Sequence, residues 1–575
     1  MEMQWEQPAA LNNEAQAEVK SISEDLKCPP LIAELLYQRG FQTKEQITEF
    51  FHPKLEKLHD PFLFEQMDKA VYRILKAIEQ KEPIIIFGDY DVDGTTSTAL
   101  LYLGLRRIGG LVDFYIPHRM VDGYGLSLNS LEYLKNSGAK LIISVDCGVN
   151  AIEEIDAINA AGMEIIITDH HNPKDVLPAA YAIINPKLPG TTYPFPHLAG
   201  VGVAYKLLMA IYQRLQIATP ENILKYMDLV AVGTIADIVP LIDENRIFAR
   251  IGLQHLIEKK NKGLNALIKI CNLNQKDLDT TDIVFGLAPR INAAGRMGSA
   301  SVAVELLIST DDERGHELAE IIEQQNSLRQ QEDQKTFVEA CEIIEKKYKD
   351  LEHTPCMVIS SDDWHQGVIG IVASKLVEKY YRPVIMISFK DGFGSGSGRS
   401  VADFDLFEAL KQTEHNLHSF GGHKYAVGLT LYQEYIDRFE NELSHYIAQH
   451  LQLDKIKPPL QIDHELELYE INNILMSWLD RFAPFGPGNQ HPVFLTRQVT
   501  IAGYPYNVGR NHLKLRVIKN GATLDLIGYN LGDYLPLLHK NDEIDIAYTL
   551  ERNRFGNKTT FQGKLKDLWL HGPGQ

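Results

Sequence analysis

The stretch "IIIFGDYDVDGTTS", residues 84–97, runs from four apolar residues through one glycine into Asp89, Asp91 and Asp93, three acids within five positions. An apolar, β-branched run of this length reads as a buried strand, so the acids gather where that strand ends. Carboxylates crowded this closely repel one another. Either they form an acidic loop open to water, or a divalent cation sits among them and turns the repulsion into coordination.

The flanking sequence repeats the pattern. "PIIIFGD" (83–89), "VDFYIP" (112–117), "LIISVD" (141–146) and "IIITDH" (165–170) are short apolar runs, separated by helical segments such as "TSTALLYLGLRRIG" and "NAIEEIDAINAAG". Continuous apolar strands alternating with helices predict an α/β unit whose parallel sheet is covered on both faces. Three of the runs end in acid, at Asp89, Asp146 and Asp169. In such sheets ligands bind beyond the carboxyl ends of the strands, so these acids are expected to converge on one edge.

At 575 residues the chain is too long for one core. Residues 1–60 read as an amphipathic helical segment and 61–310 as the first α/β domain. Residues 311–350 lack Gly and Pro beyond Gly315 and predict one long helix of roughly 50 Å joining two lobes. A second α/β lobe spans 351–454. In 455–575, "HLKLRVIKNGATLDLIGYN" holds two alternating runs around Asn520-Gly521, a hairpin signal that predicts a small barrel.

The totals narrow the function classes. Five scattered cysteines without a C-x-x-C pair read as reduced thiols of a cytoplasmic protein, and neither a secretory leader nor a membrane-spanning run is expected. The net charge of −19 argues against a polyanionic partner only weakly, because a basic groove can be local and bound cations neutralise clustered acids. "GFGSGSGRS" lacks the G-x-x-x-x-G-K-[ST] spacing, so no nucleotide triphosphate is expected.

Four motifs carry the chemistry: "DYDVDG", "SVDCGV" with Asp146, "TDHHNP" with Asp169, His170 and His171, and "GTIADIVPL" with Asp237. Singly, a strand-terminal Asp is a turn former or helix cap. Together, carboxylates and imidazole without thiols form a hard oxygen and nitrogen ligand set that suits Mn2+ or Mg2+.

These four motifs, in this order, resemble those of the DHH phosphoesterases. "YIPHRMVDGYGLS", "LAPRINAAGRMG", "WHQGVIGIVASKLVEKYYRP", "GSGRS", "SFGGHKYAVGL" and "PFGPGNQHPVF" extend the resemblance, from about residue 80 to the C-terminus, to the RecJ-type single-strand-specific exonucleases. Asp122 stands where relatives often carry Glu before the GYGL element. The resemblance implies a DHH domain, a DHH-associated domain and a C-terminal OB fold. It also implies two divalent cations, one held by Asp89, Asp91 and Asp146, the other by Asp93, Asp146, His170 and Asp237. His171 would face the scissile phosphate, with Arg119 and Arg296 as its cationic partners.

Glycine-exposed backbone N–H groups with Ser397 and Arg399 are expected to form an anion nest, with His423 nearby, and the resemblance makes this the grip on a terminal 5′-phosphate. His512, Lys514 and Arg516 alternate with apolar residues on one strand, and Tyr504 and Tyr506 offer stacking surfaces, as a single-strand groove requires. The implied activity is metal-dependent 5′-to-3′ hydrolysis of single-stranded DNA to 5′-mononucleotides in repair and recombination, with a single-strand-binding protein as partner. A narrow channel that excludes duplex would supply the strand specificity. The competing readings are a DHH-type short-oligonucleotide phosphodiesterase and a non-catalytic DNA-binding relative.

Overall fold

A computed structural model describes residues 3–118, 122–123, 125–258, 260–273, 277–401, 404–453, 456–555 and 558–571. The chain divides into two compact units: residues 53–338 with 484–489, and residues 1–52, 339–483 and 490–575.

In the first unit the four apolar runs become strands β1 (Ile84–Gly88), β2 (Val112–Tyr115), β3 (Leu141–Val145) and β4 (Glu164–Thr168), joined by β5 (Ala182–Ile184), which the periodicity did not reveal. All five are parallel, in the order β2-β1-β3-β4-β5. Continuous isoleucine serves both faces. Ile84, Ile86, Leu141, Ile143 and Ile166 enter one core, while Ile85, Phe87, Ile142, Ile165 and Ile167 enter the other. Parallel strands force every crossover to return to the same end, so the residues following β1, β3 and β4 share one rim.

Helix Val92–Arg107 leaves that rim directly after β1 and packs against helices Gly200–Arg214 and Met227–Ala236. The close approach depends on absent side chains: a Cβ at Gly88 would fall 2.0 Å from Thr98 Oγ1, and one at Gly233 2.3 Å from Thr96 Oγ1. The segment "PFGPGN", within the span expected to be barrel, packs into this unit. Leu241 N donates to Pro487 O at 2.7 Å and Thr280 Oγ1 to Phe485 O at 2.7 Å.

Helix Asp312–Lys347 is continuous over 36 residues, about 54 Å. In the second unit, β6 (Met357–Ser361), β7 (Val384–Lys390), β8 (Phe393–Arg399), β9 (Ser419–His423) and β10 (Ala426–Tyr432) form a mixed sheet in the order β9-β10-β8-β7-β6. Only β6 and β7 run parallel.

Here one expectation is corrected. "GFGSGSGRS" is no exposed glycine nest: its residues Phe393–Arg399 are β8 itself, paired on both sides. Its glycines face a tight apolar layer, where a Cβ at Gly398 would lie 2.6 Å from Val427 Cγ2 and one at Gly396 2.9 Å from Leu429 Cγ.

Strands His464–Glu465, Phe494–Ile501, Glu543–Phe555, Lys558–Leu570, Ala522–Gly528, His512–Lys519 and Tyr506–Val508 follow one another in a seven-stranded sheet. A further pairing between Phe494–Ile501 and His512–Lys519 closes it into a barrel. The N-terminal segment is not wholly helical: Gln4–Glu6 is a strand beside Pro459–Gln461, anchored by Trp5, which stacks on Trp569 at 4.5 Å and donates to Asp567 at 2.8 Å. Among the described residues no helix is long and apolar enough to cross a membrane, and all five cysteines are unbridged.

Candidate metal centre

The rim beyond β1, β3 and β4 collects the acids. Asp89 follows β1 and is 1% exposed. Asp91 caps helix Val92–Arg107, its carboxylate accepting from Gly94 N at 3.0 Å. This local bond explains the crowding in part, since an acid at a helix N-terminus meets unpaired N–H groups and the positive dipole end. Asp93, in the first turn of the same helix, accepts from Gly200 N at 2.6 Å and Val201 N at 2.7 Å, the first residues of another helix. Two helix N-termini thus support one acidic turn.

After β3 the backbone turns sharply through Asp146, whose φ of 59° lies in the left-handed region. The turn is pinned by Asp146 N donating to Thr168 O at 2.9 Å and by Ser144 Oγ donating to Cys147 O at 3.0 Å. A side chain held in this conformation marks a site that the surrounding structure over-determines. Asp237 is the C-cap that follows helix Met227–Ala236.

His170 is where these elements meet. Its Nε2 lies 3.1 Å from Asp146 Oδ1 and 3.7 Å from both Asp93 Oδ2 and Asp237 Oδ2. Three overlapping groups result, each with ligand atoms within 4.8 Å of one another: Asp89, Asp91 and Asp146; Asp93, His170 and Asp237; and Asp146, His170 and His171. Asp146 and His170 are each common to two of them. Asp169 turns inward instead and organises the loop, accepting from Val149 N at 2.9 Å, His170 N at 2.7 Å and the His171 ring at 2.7 Å.

The electrostatics show what such a rim lacks. Burial, then the Asp91 charge, raises Asp93 to about 7. Burial and the neighbouring acids lift Asp146 and Asp237 well above the usual carboxylate range. Burial and the His171 charge lower His170 to about 3, which keeps it a neutral, ligand-ready imidazole. Asp146 Oδ1 and Asp237 Oδ2 are buried without a hydrogen bond. Among the described residues no lysine or arginine forms an ion pair with Asp93, Asp146 or Asp237. Buried carboxylate oxygens without partners, in an all-oxygen and imidazole donor set, fit divalent cations.

The remaining expected residues fall in different places. Arg296 lies in helix Ala288–Met297, which packs on the acidic turn: Asn292 Oδ1 accepts from Val92 N at 3.2 Å, and a Cβ at Gly295 would meet Tyr90 O at 2.7 Å. Arg119 lies outside the described residues. In the second unit, Arg399, Ala426 and His423 sit in register across β8, β10 and β9, so Arg399 and His423 share a face two strands apart, about 10 Å. Arg399 Nη1 donates to Ser397 Oγ at 3.0 Å. A Cβ at Gly370, in the first turns of helix Gln366–Tyr380, would lie 3.1 Å from Arg399 Nη2.

On the barrel, Tyr504 and Tyr506 are exposed, and Tyr506 pairs directly across from Lys514. Strand His512–Lys519 alternates as expected, with Leu513, Leu515 and Val517 buried. His512 accepts from Asn530 N at 3.2 Å. Arg516 holds Asp525 bidentately at 2.6 and 3.0 Å in an exposed ion pair.

Residues that sequence reasoning assigned no role are Asp169, which orients the histidine pair, and Gly200, whose backbone carries Asp93. The first had a signal in its strand-end position. The second had none, since it depends on a helix more than 100 residues away from the acid it serves.

A parallel-sheet rim bearing interlocked carboxylate and imidazole groups defines a phosphoesterase-type metal centre. The chain matches the family models "DHH family, N-terminal domain" over residues 83–234, "DHHA1 domain" over 353–449 and "RecJ OB domain" over 462–567. It is 38% identical to the single-stranded-DNA-specific exonuclease RecJ of Bacillus subtilis, covering 98% of this chain and 70% of that protein. It is 35% identical to RecJ of Dickeya dadantii, covering 94% and 96% respectively. Among solved structures, RecJ of Thermus thermophilus in complex with Mn2+ aligns at a TM-score of 0.84 and 27% identity, over 99% of this chain and 80% of that one. The chain belongs to the RecJ family of single-stranded-DNA-specific exonucleases.

Proposed function

We propose that this protein is a metal-dependent exonuclease that degrades single-stranded DNA from the 5′ end, releasing 5′-mononucleotides during DNA repair and recombination. The observation that carries this reading is the trio of overlapping ligand groups sharing Asp146 and His170, with buried carboxylate oxygens left unsatisfied, in a member of the RecJ family.

Asp89, Asp91 and Asp146 would hold one divalent cation, and Asp93, Asp146, His170 and Asp237 a second, either Mn2+ or Mg2+. Bound cations supply Lewis acidity and a water that ionises near neutral pH. The chain's own groups do the positioning. Gly200 and Val201 N–H groups fix Asp93, and Asp169 fixes the ring of His171, which would face the scissile phosphate. Arg296 would meet a non-bridging oxygen of that phosphate. Arg399, Ser397 and His423 would hold a terminal 5′-phosphate by charge-assisted hydrogen bonds, which gives the enzyme its polarity. The exposed Tyr504 and Tyr506, with Lys514 and His512, would carry the strand by stacking and charge. A cytoplasmic setting, independence from nucleotide triphosphates and a single-strand-binding protein as partner complete the proposal.

The test is digestion of an end-labelled, 5′-phosphorylated oligonucleotide with Mn2+ or Mg2+, product lengths being resolved over time. Mononucleotides released stepwise from the 5′ end, none with chelator, and a blunt duplex left intact are expected. Internal cleavage, or equal digestion of the duplex, overturns the reading.

A further inference from the structure

Helix Val92–Arg107 has the acidic rim at its first turn and a basic cavity at its last, about 20 Å away. The cavity, of about 530 Å3, is lined by Arg106, Arg107, Lys225, Lys260 and Lys262, with Leu103, Leu307 and Ile308 as apolar wall. Five cations around one hollow are unexpected in a chain of net charge −19.

Local structure accounts for some of them. Arginines in a helix's last turn complement its dipole. Lys260 and Lys262 are paired with Glu258 at 2.6 Å and Asp312 at 2.9 Å. Arg106, Arg107 and Lys225 are different: among the described residues none forms an ion pair with a carboxylate. Arg106 donates to the Tyr102 hydroxyl, Arg107 to Asn222 Oδ1 at 2.6 Å, and Lys225 lies 5.9 Å from the Tyr226 ring centre. The one acid in the lining, Asp228, is 4% exposed, accepts from Leu229 N at 2.8 Å and interacts with Lys260, not with Arg106, Arg107 or Lys225.

Burial and the Arg107 charge lower the Lys225 pKa and outweigh the opposing pull of Glu221, so these like charges repel one another, and an anion relieves that repulsion. Guanidinium forks suit phosphate oxygens bidentately. The volume falls within the range of small-molecule sites, and the wall of Leu103, Leu307 and Ile308 offers an organic ring somewhere to lie. We propose that this cavity binds a nucleoside diphosphate, its phosphates against Arg106, Arg107 and Lys225 and its ring against the apolar wall. All its lining residues belong to the first unit, and none of them is an acid or histidine of the metal rim.

Calorimetric titration of the full chain with ADP, in chelator so that the acidic rim holds no cation, tests this. Wild-type protein is expected to bind ADP more tightly than inorganic pyrophosphate. The double variant Arg106→Ala/Lys225→Ala should bind ADP at least about tenfold more weakly, each lost charge-assisted contact being of that order. Its nuclease rate without ADP should stay within about twofold of wild type. Both side chains are exposed, so the fold should persist; the single variant Lys225→Glu, checked by its melting temperature, gives a second route to the same loss. No ADP binding by wild type, unchanged affinity in the variants, equal affinity for pyrophosphate, or weakened oligonucleotide binding with ADP binding intact would each overturn the assignment.

Discussion

The His171 ring bonds Asp169 Oδ1 through Nδ1 at 2.7 Å, while the same ring nitrogen lies 3.9 Å from Asp146. Asp169 is buried, and three backbone N–H groups and the His171 ring converge on it, so it aims the histidine instead of joining the ligand set. Burial pulls the His171 pKa down, but the Asp169 hydrogen bond and charge outweigh it and leave it raised. Asp169→Asn keeps the shape and removes the charge. Turnover at saturating Mn2+ should fall by about 10- to 100-fold, the usual cost of losing a partner that orients a site residue. The His171 titration followed by NMR should move to lower pH. Full activity in this variant would contradict the positioning role.

Gly200 packs directly against the side chains of two of the clustered acids. A Cβ there would lie 2.8 Å from Asp146 Cβ and 2.9 Å from both Asp146 Oδ1 and Asp93 Oδ2. Gly200→Ala should therefore weaken Mn2+ binding by about tenfold or more, since two acids must move. Gly202→Ala, two residues on, meets Leu198 at 3.2 Å and Phe248 at 3.5 Å, neither of them an acid, and is the matched control. Isothermal titration of both variants decides the matter; equal affinities would remove Gly200 from the account.

The raised acids couple metal binding to pH. Asp93 moves from 3.8 to about 7, and Asp146 and Asp237 also move upward. An acid raised on folding holds its proton more tightly in the folded state. Its stabilising contribution is complete below the ordinary value and is lost as pH rises through the folded value. Without metal the protein should lose this contribution between about pH 4 and pH 7, whereas cations bind the deprotonated form. The rise in melting temperature produced by Mn2+ should be larger at pH 8 than at pH 6, with proton release on binding at the lower pH. An increment independent of pH would contradict the assignment.

On the proposed reading, Arg399 acts on the strand end alone. Arg399→Ala should raise KM for 5′-phosphorylated strands about tenfold while kcat changes little, because a contact equal in ground and transition states is lost. The variant should also stop distinguishing 5′-phosphate from 5′-hydroxyl ends. Steady-state kinetics on both substrates measure this, and an unchanged KM would exclude the role.

Much of the centre was legible because its determinants are local. A β-branched run names its strand, an acid after it names the strand end, and parallel order brings Asp89, Asp146 and Asp169 to one rim. The alternation of His512–Lys519 likewise stated its buried face directly. Where a reading failed, the cause lay in a distant partner. Glycines in "GFGSGSGRS" looked like exposed backbone, yet Val427, Leu429 and Ile387 demand their small size from within a sheet. The pairing of Arg516 with Asp525 on the neighbouring strand likewise had no local signal.

The order of residues alone determined four strands of the first sheet, the long helix, the α/β class and the hard character of the ligand set, since these depend on side-chain type and short spacing. Tertiary structure decided which acids remain unpaired, which one is spent on orienting a histidine, and that "PFGPGN" closes back on a helix turn some 240 residues earlier. Those outcomes depend on burial and on hydrogen bonds between segments far apart in the chain, and no local pattern encodes them.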